Sequence, residues 1–376
     1  LYRNEGDGRA FTDVAASRQL VSTGETRQPS WIDFDRDGDV DLFVAFRDAP
    51  NALFRNDGQR FTEVAETLGL ADPRKTVGAS WFDFDQDGDL DVYVANQDGT
   101  LNGLFRNDGA KFSDVAPQLK IDAAGHARTG SNGPSVADYD NDGDFDLFVA
   151  NYGPNLLFRN DGRGTFSEVA ATVGVGGGDK ATPSNWGDYD NDGRLDLYVS
   201  SYVDTVLNGR DYLYHNEGGR FAEAMPALIL KHPASHGIQW ADFDRDGDLD
   251  LALADNNPPG THYIYRNLLP RDRASRSLQV VVLDEQGRYT RAGSEVRVYG
   301  ANRRLLATRL VDTGSGYCSQ NAMPVHVGLS AEGPVDVEIT VLTAGGRRIV
   351  RRNAVDPKTL AGKPLVIKLD LPGRTE

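Results

Sequence analysis

Residues 33–41 read DFDRDGDVD, five carboxylates within nine positions. The phrase returns as DFDQDGDLD at 83–91, DYDNDGDFD at 138–146, DYDNDGRLD at 188–196 and DFDRDGDLD at 242–250. Successive copies stand 50, 55, 50 and 54 residues apart, the period of a repeat architecture. Like charges packed this tightly repel one another, so each loop calls for a cation. Asp at positions 1, 3 and 5 curls three oxygens around one point, and the Gly at position 6 supplies the sharp turn. A backbone carbonyl at position 7 joins them and Asp at position 9 closes the shell. Hard oxygen ligands, with water completing six or seven contacts, select Ca²⁺ over Mg²⁺.

The side-chain ligands expected on this reading are Asp33, Asp35, Asp37 and Asp41; Asp83, Asp85, Asp87 and Asp91; Asp138, Asp140, Asp142 and Asp146; Asp188, Asp190, Asp192 and Asp196; and Asp242, Asp244, Asp246 and Asp250. Asp39, Asp89, Asp144, Arg194 and Asp248 would contribute backbone carbonyls. An EF-hand would need Glu at position 12, where this chain has Val44, Val94, Val149, Val199 and Leu253. The loops therefore read as calcium sites of another kind, with about five Ca²⁺ per chain and a structural role first.

A second phrase recurs between the loops: LYRNEGDGRAFTDVA at 1–15, LFRNDGQRFTEVA at 53–65, LFRNDGAKFSDVA at 104–116, LFRNDGRGTFSEVA at 157–170 and LYHNEGGRFAEAM at 213–225, with a truncated IYRNLLP at 264–270. Each unit holds four short apolar runs rich in β-branched and aromatic residues, as in ASWFDFD, DVYVANQ, NGLFRND and KFSDVA. Bounded by Gly, Asp and Asn, they read as four strands. The acidic loop joins the first strand to the second, and RNDG or RNEG turns the third into the fourth. Four-stranded units of this length are the blades of a β-propeller; a solenoid, the alternative, usually has shorter repeats. The four Trp residues, Trp31, Trp81, Trp186 and Trp240, share one position two residues before the loop, with Val136 in the remaining copy. They read as spacers between blades in preference to ligand-stacking surfaces.

The blade count does not close on itself. Five first and second strands and five fourth strands accompany six third strands. Residues 9–15 could complete the last blade and leave residues 1–4 surplus. Otherwise further blades, the C-terminal region or a neighbouring subunit must supply partners, the last making a homo-oligomer through the incomplete N-terminal blade. The fold expected is all-β: a propeller over 1–270 with five visible repeats and five to seven blades, then a small β-sandwich-like domain over 271–376. Seven alternating runs between SLQVVVL and PLVIKLDL support the second part.

Charge is unevenly divided. Residues 1–270 carry 23 Lys and Arg against 45 Asp and Glu, net −22, and residues 271–376 carry 17 against 11, net +6. The acidic body argues against nucleic-acid binding, and the basic excess reads as solvated surface. Five Ca²⁺ would bring the first 270 residues from −22 to −12. No apolar run is long enough to span a membrane. A single Cys318 excludes an intrachain disulfide and thiolate metal sites, and reads as an inert thiol. The start at Leu1, without Met or signal peptide, reads as a processed or trimmed product.

Residues 1–270 resemble the FG-GAP (VCBS-type) repeats and are similar to those of integrin α-subunit propellers. The segment from RSLQVVVLDEQ to VHVGLS, with GSGYCSQ its most specific piece, resembles the ASPIC/UnbV domain of the cartilage acidic protein-like family. RYTRAGSEV stands where that domain usually has Asn-Arg before its Gly-rich turn. The resemblance implies an extracellular or periplasmic calcium-binding protein, for most members without a defined catalytic activity.

Strand direction alternates, so acidic loops and tight turns share one face of the propeller and the remaining links share the other. That second face is varied, with AFRDAPN, ANQDGTLNG, ANYGPN, SSYVDTVLNGRD and ADNNPPGTH. Varied loops on a rigid frame are the expected functional surface. Each link into a first strand carries a base: Arg27; Lys75; His126 and Arg128; Lys180; and Lys231, His232 and His236. They would form a cationic ring for a carboxylate, a sulfate or an acidic glycan, flanked by Asn96, Asn151, Tyr152, Tyr202 and Asn256; the competing reading is solvated loop charge. His232 and His236 have i, i+4 spacing, but Pro233 argues against a helix that would make it a metal site. P-loop, nucleophile-elbow and HExxH motifs are absent. The expected function is binding or adhesion to an extracellular protein, glycan or anionic ligand, with an enzyme of polysaccharide or natural-product chemistry as the alternative.

Overall fold

Each acidic loop runs into an alternating apolar stretch, and that stretch becomes the second strand of an antiparallel meander. The computed structural model describes all residues except 7, 22–23, 110, 124–129, 163, 179, 203–208, 232–234, 256–261, 315–316, 320, 322–323, 361 and 370–376. Blade I comprises Thr26–Ile32, Asp41–Phe46, Ala52–Asn56 and Phe61–Glu63. Blade II comprises Thr76–Phe82, Asp91–Asn96, Gly103–Asn107 and Phe112–Asp114. Blade III comprises Ser131–Ala137, Asp146–Asn151, Leu156–Asn160 and Phe166–Glu168, and blade IV Ala181–Gly187, Asp196–Ser201, Tyr212–Asn216 and Phe221–Glu223. Blade V has three strands, Gly237–Ala241, Asp250–Ala254 and His262–Tyr265. The protein is all-β: a propeller-like array of repeated sheets with a separate pair of sheets after it.

First strands of neighbouring blades face one another around a central channel without pairing as a sheet, so polar side chains tie them. Gln28 donates to the Ala79 carbonyl at 2.8 Å and accepts from the Ala79 amide at 2.9 Å. Ser80 donates to the Pro134 carbonyl at 2.8 Å, and Ser135 meets Ser184 at 2.7 Å. Behind this polar lining lies an aromatic seam. Trp81 packs edge-on against Phe43 of the preceding blade, Trp186 against Phe148, and Trp240 against Tyr198. All three indoles are buried, as spacers between blades should be. Trp31 is 41% exposed and touches Phe61 of its own blade, and among the described residues no neighbouring blade covers it.

Two expectations need correction. Phe11–Asp13 pairs with Tyr2–Asn4 as a separate hairpin, so residues 9–15 do not complete blade V. The C-terminal strands also add no blade. Val325–Gly328, Ser277–Leu283 and Leu365–Lys368 form one sheet. Leu305–Leu310, Glu295–Tyr299, Val335–Thr343 and Gly346–Val355 form the other. Alternate residues of both, among them Val280, Val282, Val296, Val298, Val337 and Ile339, share one buried core.

The sandwich sits over the acidic loops, and one of its links enters the propeller. Thr313 donates to the Trp81 carbonyl at 3.0 Å in blade II. Ser319 forms a parallel bridge with Ile238 in blade V and accepts from Asn185 of blade IV at 2.8 Å. Asn321 donates to the Trp186 carbonyl at 3.0 Å. Asp312 clamps both limbs of the link, accepting from the amides of Gly314 and Asn321 at 2.6 Å each. The described part of 312–321 therefore fills the channel. Cys318 lies on it, exposed, with a left-handed backbone at φ 57.

Candidate metal loops and the opposite face

The five acidic loops share one hydrogen-bond scheme, which follows from the repeat. The Gly amide at position 6 donates to Asp at position 1, at 3.1 Å in blade I (Gly38 to Asp33) and 2.9 Å in blade IV (Gly193 to Asp188). Position 4 takes a left-handed backbone, with φ 60 at Arg36, 61 at Gln86, 58 at Asn141 and Asn191, and 63 at Arg245. Position 9 staples the loop to the third strand. Asp91 accepts from the Asn107 amide at 2.7 Å and from the Phe84 amide at 3.2 Å, and Asp41, Asp146, Asp196 and Asp250 repeat the pattern.

These contacts leave the carboxylates gathered. Oxygens both about 2.4 Å from one Ca²⁺ lie at most about 4.8 Å apart. Ligand atoms of Asp33, Asp35 and Asp37 meet this limit of 4.8 Å, as do those of Asp83, Asp85 and Asp91, of Asp138, Asp140 and Asp146, and of Asp188, Asp190 and Asp196. Blades II to IV thus bring positions 1, 3 and 9 together, whereas blade I brings 1, 3 and 5. Asp37, Asp87, Asp142, Asp192 and Asp246 at position 5 accept from the amides of Asp39, Asp89, Asp144, Arg194 and Asp248. In the fifth loop Asp242, Asp244 and Asp250 hold the corresponding places, with Asp244 paired to Arg266 at 2.6 Å. In blade IV, His215 replaces the Arg of the other copies and also lies within the 4.8 Å limit of Asp190 and Asp192.

The electrostatics of these loops point to a cation. Asp33 Oδ1, Asp83 Oδ1 and Asp140 Oδ1 are buried and lack a hydrogen-bond partner. Burial raises Asp33 and Asp83 to about 7, Asp41 to about 8 and Asp196 to about 9, with neighbouring carboxylates adding to the shift. Asp91 and Asp146 are pushed well above the usual carboxylate range, also chiefly by burial. A cation resolves both defects by occupying the orphaned oxygens and favouring the ionised form.

Part of the basic excess of residues 271–376 docks on the acidic loops, contrary to its reading as solvated charge. Arg291, within RYTRAGSEV, reaches Asp33 Oδ2 at 3.4 Å. Arg347 bridges Asp83 at 2.5 Å and Glu295 at 2.8 Å. Arg297 donates to the Gly143 carbonyl at 2.8 Å, Arg309 to the Gly193 carbonyl at 3.2 Å, and Gln279 to Asp242 at 2.6 Å. Each loop is met by a different C-terminal side chain.

Sequence reasoning missed two sets of residues in the loops. The third-strand Asn bridges blades: Asn107 donates to Phe34 O at 3.2 Å and Leu90 O at 3.3 Å, and Asn160, Asn216 and Asn267 do the same one blade on. The position-4 side chain reaches the next loop, as Asn141 does to Gly193 O at 3.2 Å and Asn191 to Gly247 O at 2.9 Å. The Asn common to every copy of the phrase, Asn56, Asn107, Asn160, Asn216 and Asn267, was the available signal for the first set. The second changes identity between blades and gave none.

On the opposite face a cavity of about 350 Å³ closes over the inserted link. Aligning the repeats on the Trp position shows its construction. One first-strand position supplies Arg27, Val77, Asn132, Thr182 and His236, and the residue after each second strand supplies Arg47, Gln97, Tyr152 and Tyr202. Tyr317 lies at the centre, its ring 5.4 Å from His236, which lies 5.6 Å from Tyr202. Of the predicted cationic ring, Arg27 and His236 line this cavity. Lys75 is ion-paired with Asp98, Lys180 and Lys231 are not among the lining residues, and His126, Arg128, His232 and Asn256 lie outside the described residues. Asn96 and Asn151 are buried and bind backbone carbonyls, so they do not flank a ligand.

Comparison with known proteins finds two families along the chain. A profile described as FG-GAP-like repeat matches residues 33–94, 83–149, 138–199 and 202–253, and one described as ASPIC and UnbV matches 286–352. Cartilage acidic protein 1 of Homo sapiens is 31% identical over 150 residues, which are 35% of this chain and 22% of that protein; the Mus musculus protein is 30% identical over the same length and shares. The matched part thus spans about a fifth of these relatives. Among solved structures, an Agrocybe aegerita lectin that recognises non-reducing terminal N-acetylglucosamine is similar at TM-score 0.43 and 18% identity, over 71% of this chain and 74% of the lectin. A V. cholerae biofilm matrix protein is similar at TM-score 0.42 and 12% identity, over 89% of this chain and 62% of that one.

Proposed function

From the premise that this chain belongs to the FG-GAP-like repeat family and carries an ASPIC and UnbV domain, we propose that it is an extracellular binding module whose blades are held by Ca²⁺ and whose ligand sits on the face away from the metal. The observation that carries this reading is the split between the faces. One face repeats the same residues at every blade, as a structural metal requires. The other places different residues at equivalent positions, as recognition requires.

The metal would be held in blades II to IV by the carboxylates at positions 1, 3 and 9, in blade I by those at positions 1, 3 and 5, and in blade V by the corresponding Asp242, Asp244 and Asp250. Bound Ca²⁺ supplies charge neutralisation. The chain's own part is to fix the loop through the position-6 amide and the position-9 staple. No helix among the described residues is long and apolar enough to cross a membrane. Among the described lining residues Asp98 is the one carboxylate, and it is paired with Lys75, which favours binding over acid–base catalysis.

Elemental analysis of the untreated protein, paired with melts with and without excess chelator, tests the metal half. About five Ca²⁺ per chain and a large fall in Tm are expected; a site filled a hundredfold above its Kd adds about 2.7 kcal/mol. A melt indifferent to chelator overturns the calcium role. Substituting Arg47, Gln97 and Tyr202 tests the ligand half: a captured ligand lost without a change in Tm supports the far face, and full retention overturns it.

A further inference from the structure

The cavity beneath the varied loops has a composition that specifies its ligand further, on the reading that this face binds. Both of its arginines, Arg27 and Arg47, come from blade I, and Arg27 Nε has no hydrogen-bond partner. The aromatic side chains come from the other blades, with Tyr152 in blade III, Tyr202 in blade IV and His236 at the start of blade V, around Tyr317 in the floor. Gln97, Asn132 and Thr182 also line the cavity, as does Asp98, whose charge is met by Lys75. Val77 is the one aliphatic residue among the described lining. Burial lowers His236, and nearby Arg27 adds to the shift, so its imidazole is neutral at pH 7.

Each group of lining residues selects a chemical feature. The two guanidiniums of blade I match a carboxylate, which Arg binds through paired N–H groups. The aromatic rings match a flat, CH-rich ring. The amides and the hydroxyl match a polyhydroxylated body, and the scarcity of aliphatic side chains among the described lining disfavours an apolar one. The channel that would otherwise pass through is filled by the described part of 312–321, with Tyr317 at its inner end. The cavity is therefore blind, and a volume of about 350 Å³ holds one or two sugar residues. We propose that this pocket binds the terminal uronic acid residue of an acidic polysaccharide, carboxylate on Arg27 and Arg47 and sugar ring against the tyrosines. The propeller makes the walls and the C-terminal segment makes the floor, so the site is incomplete without either.

The test uses the full calcium-loaded chain and calorimetric titration with glucuronic and galacturonic acid oligomers, the free monosaccharides, and neutral glucose oligomers. Binding of the acidic oligomers with the same molar affinity for trimer and hexamer is expected, since an end and not the interior is read. Arg47→Gln should weaken it at least tenfold and Tyr317→Ala a further severalfold, with unchanged melts in calcium showing both variants folded. Free uronic acids matching the oligomers would assign the source to the monosaccharide and overturn the chain-end part. Affinity rising with chain length overturns the blind-pocket argument. Neutral oligomers binding equally well, and losing affinity in Tyr202→Ala, overturn the acidic specificity while keeping the far face as the binding surface. Acidic oligomers bound unchanged by every pocket variant overturn both. No saccharide bound at millimolar concentration overturns this inference alone, because the capture assay with Arg47, Gln97 and Tyr202 variants judges the far face separately.

Discussion

Single residues carry two kinds of work here, and their substitution costs should separate them. Trp81 is fully buried between Phe43 and Phe112, so Trp81→Ala should cost about 3–5 kcal/mol in a denaturant titration. Trp31 occupies the same place in its repeat but faces solvent, so Trp31→Ala should cost less than about 1 kcal/mol. The Trp spacing made the seam legible from sequence, but a one-dimensional pattern cannot show which copy lacks a neighbour. The loop carboxylates set a pH dependence. Without metal, folded Asp33, Asp41 and Asp196 keep protons to about 7, 8 and 9, whereas the unfolded chain releases them near 4. The folded state then binds more protons, so stability falls as pH rises. Melts in chelator should decline steadily between pH 5 and 9, and melts in saturating calcium should stay nearly level there above about pH 7.

At the scale of elements, the acidic loop is the unit the sequence made plainest. Its Asp and Gly positions announced the turn and the clustered oxygens, because carboxylates at alternate positions have no other economical arrangement. Its cover was hidden. Arg291, Arg297, Arg309 and Arg347 lie more than a hundred residues from most of the loops they meet, and nothing in their local sequence distinguishes them from solvated charge. Arg347 holds two buried carboxylates, Asp83 and Glu295, so Arg347→Ala should cost about 3 kcal/mol in chelator, as breaking a buried pair does. Calcium neutralising Asp83 should shrink that loss, and paired denaturation curves measure the difference. The varied face was legible as a surface but not as a pocket. The eye was drawn to lysines and histidines in the links, whereas the lining comes from strand ends such as Arg47, Gln97 and Thr182, visible only when the repeats are aligned on the Trp.

For the molecule as a whole, the repeats declared the propeller and the alternating runs declared the sandwich, but neither showed that one enters the other. The link that enters the propeller carries Gly314, Cys318 and Ser319, small residues that suit a narrow polar bore, but nothing in their local sequence tells a bore from a surface turn. On the proposed reading, contacts from the C-terminal sheets to every acidic loop would make the metal and the sandwich partial substitutes for one another. A fragment ending at residue 270 should therefore unfold in chelator under conditions where the full chain stays folded, and circular dichroism melts of the two would show it. The same fragment in calcium should retain its strands.

The inserted link also bears on the order of events. The bore is built from blades I to V, and the described part of 312–321 that enters it follows them in the chain. If the blades close first, they enclose solvent until this later segment enters. Refolding should show a late step, sensed by Tyr317 fluorescence and absent from the fragment, in which solvent leaves the bore as the last-made part of the protein locks the first.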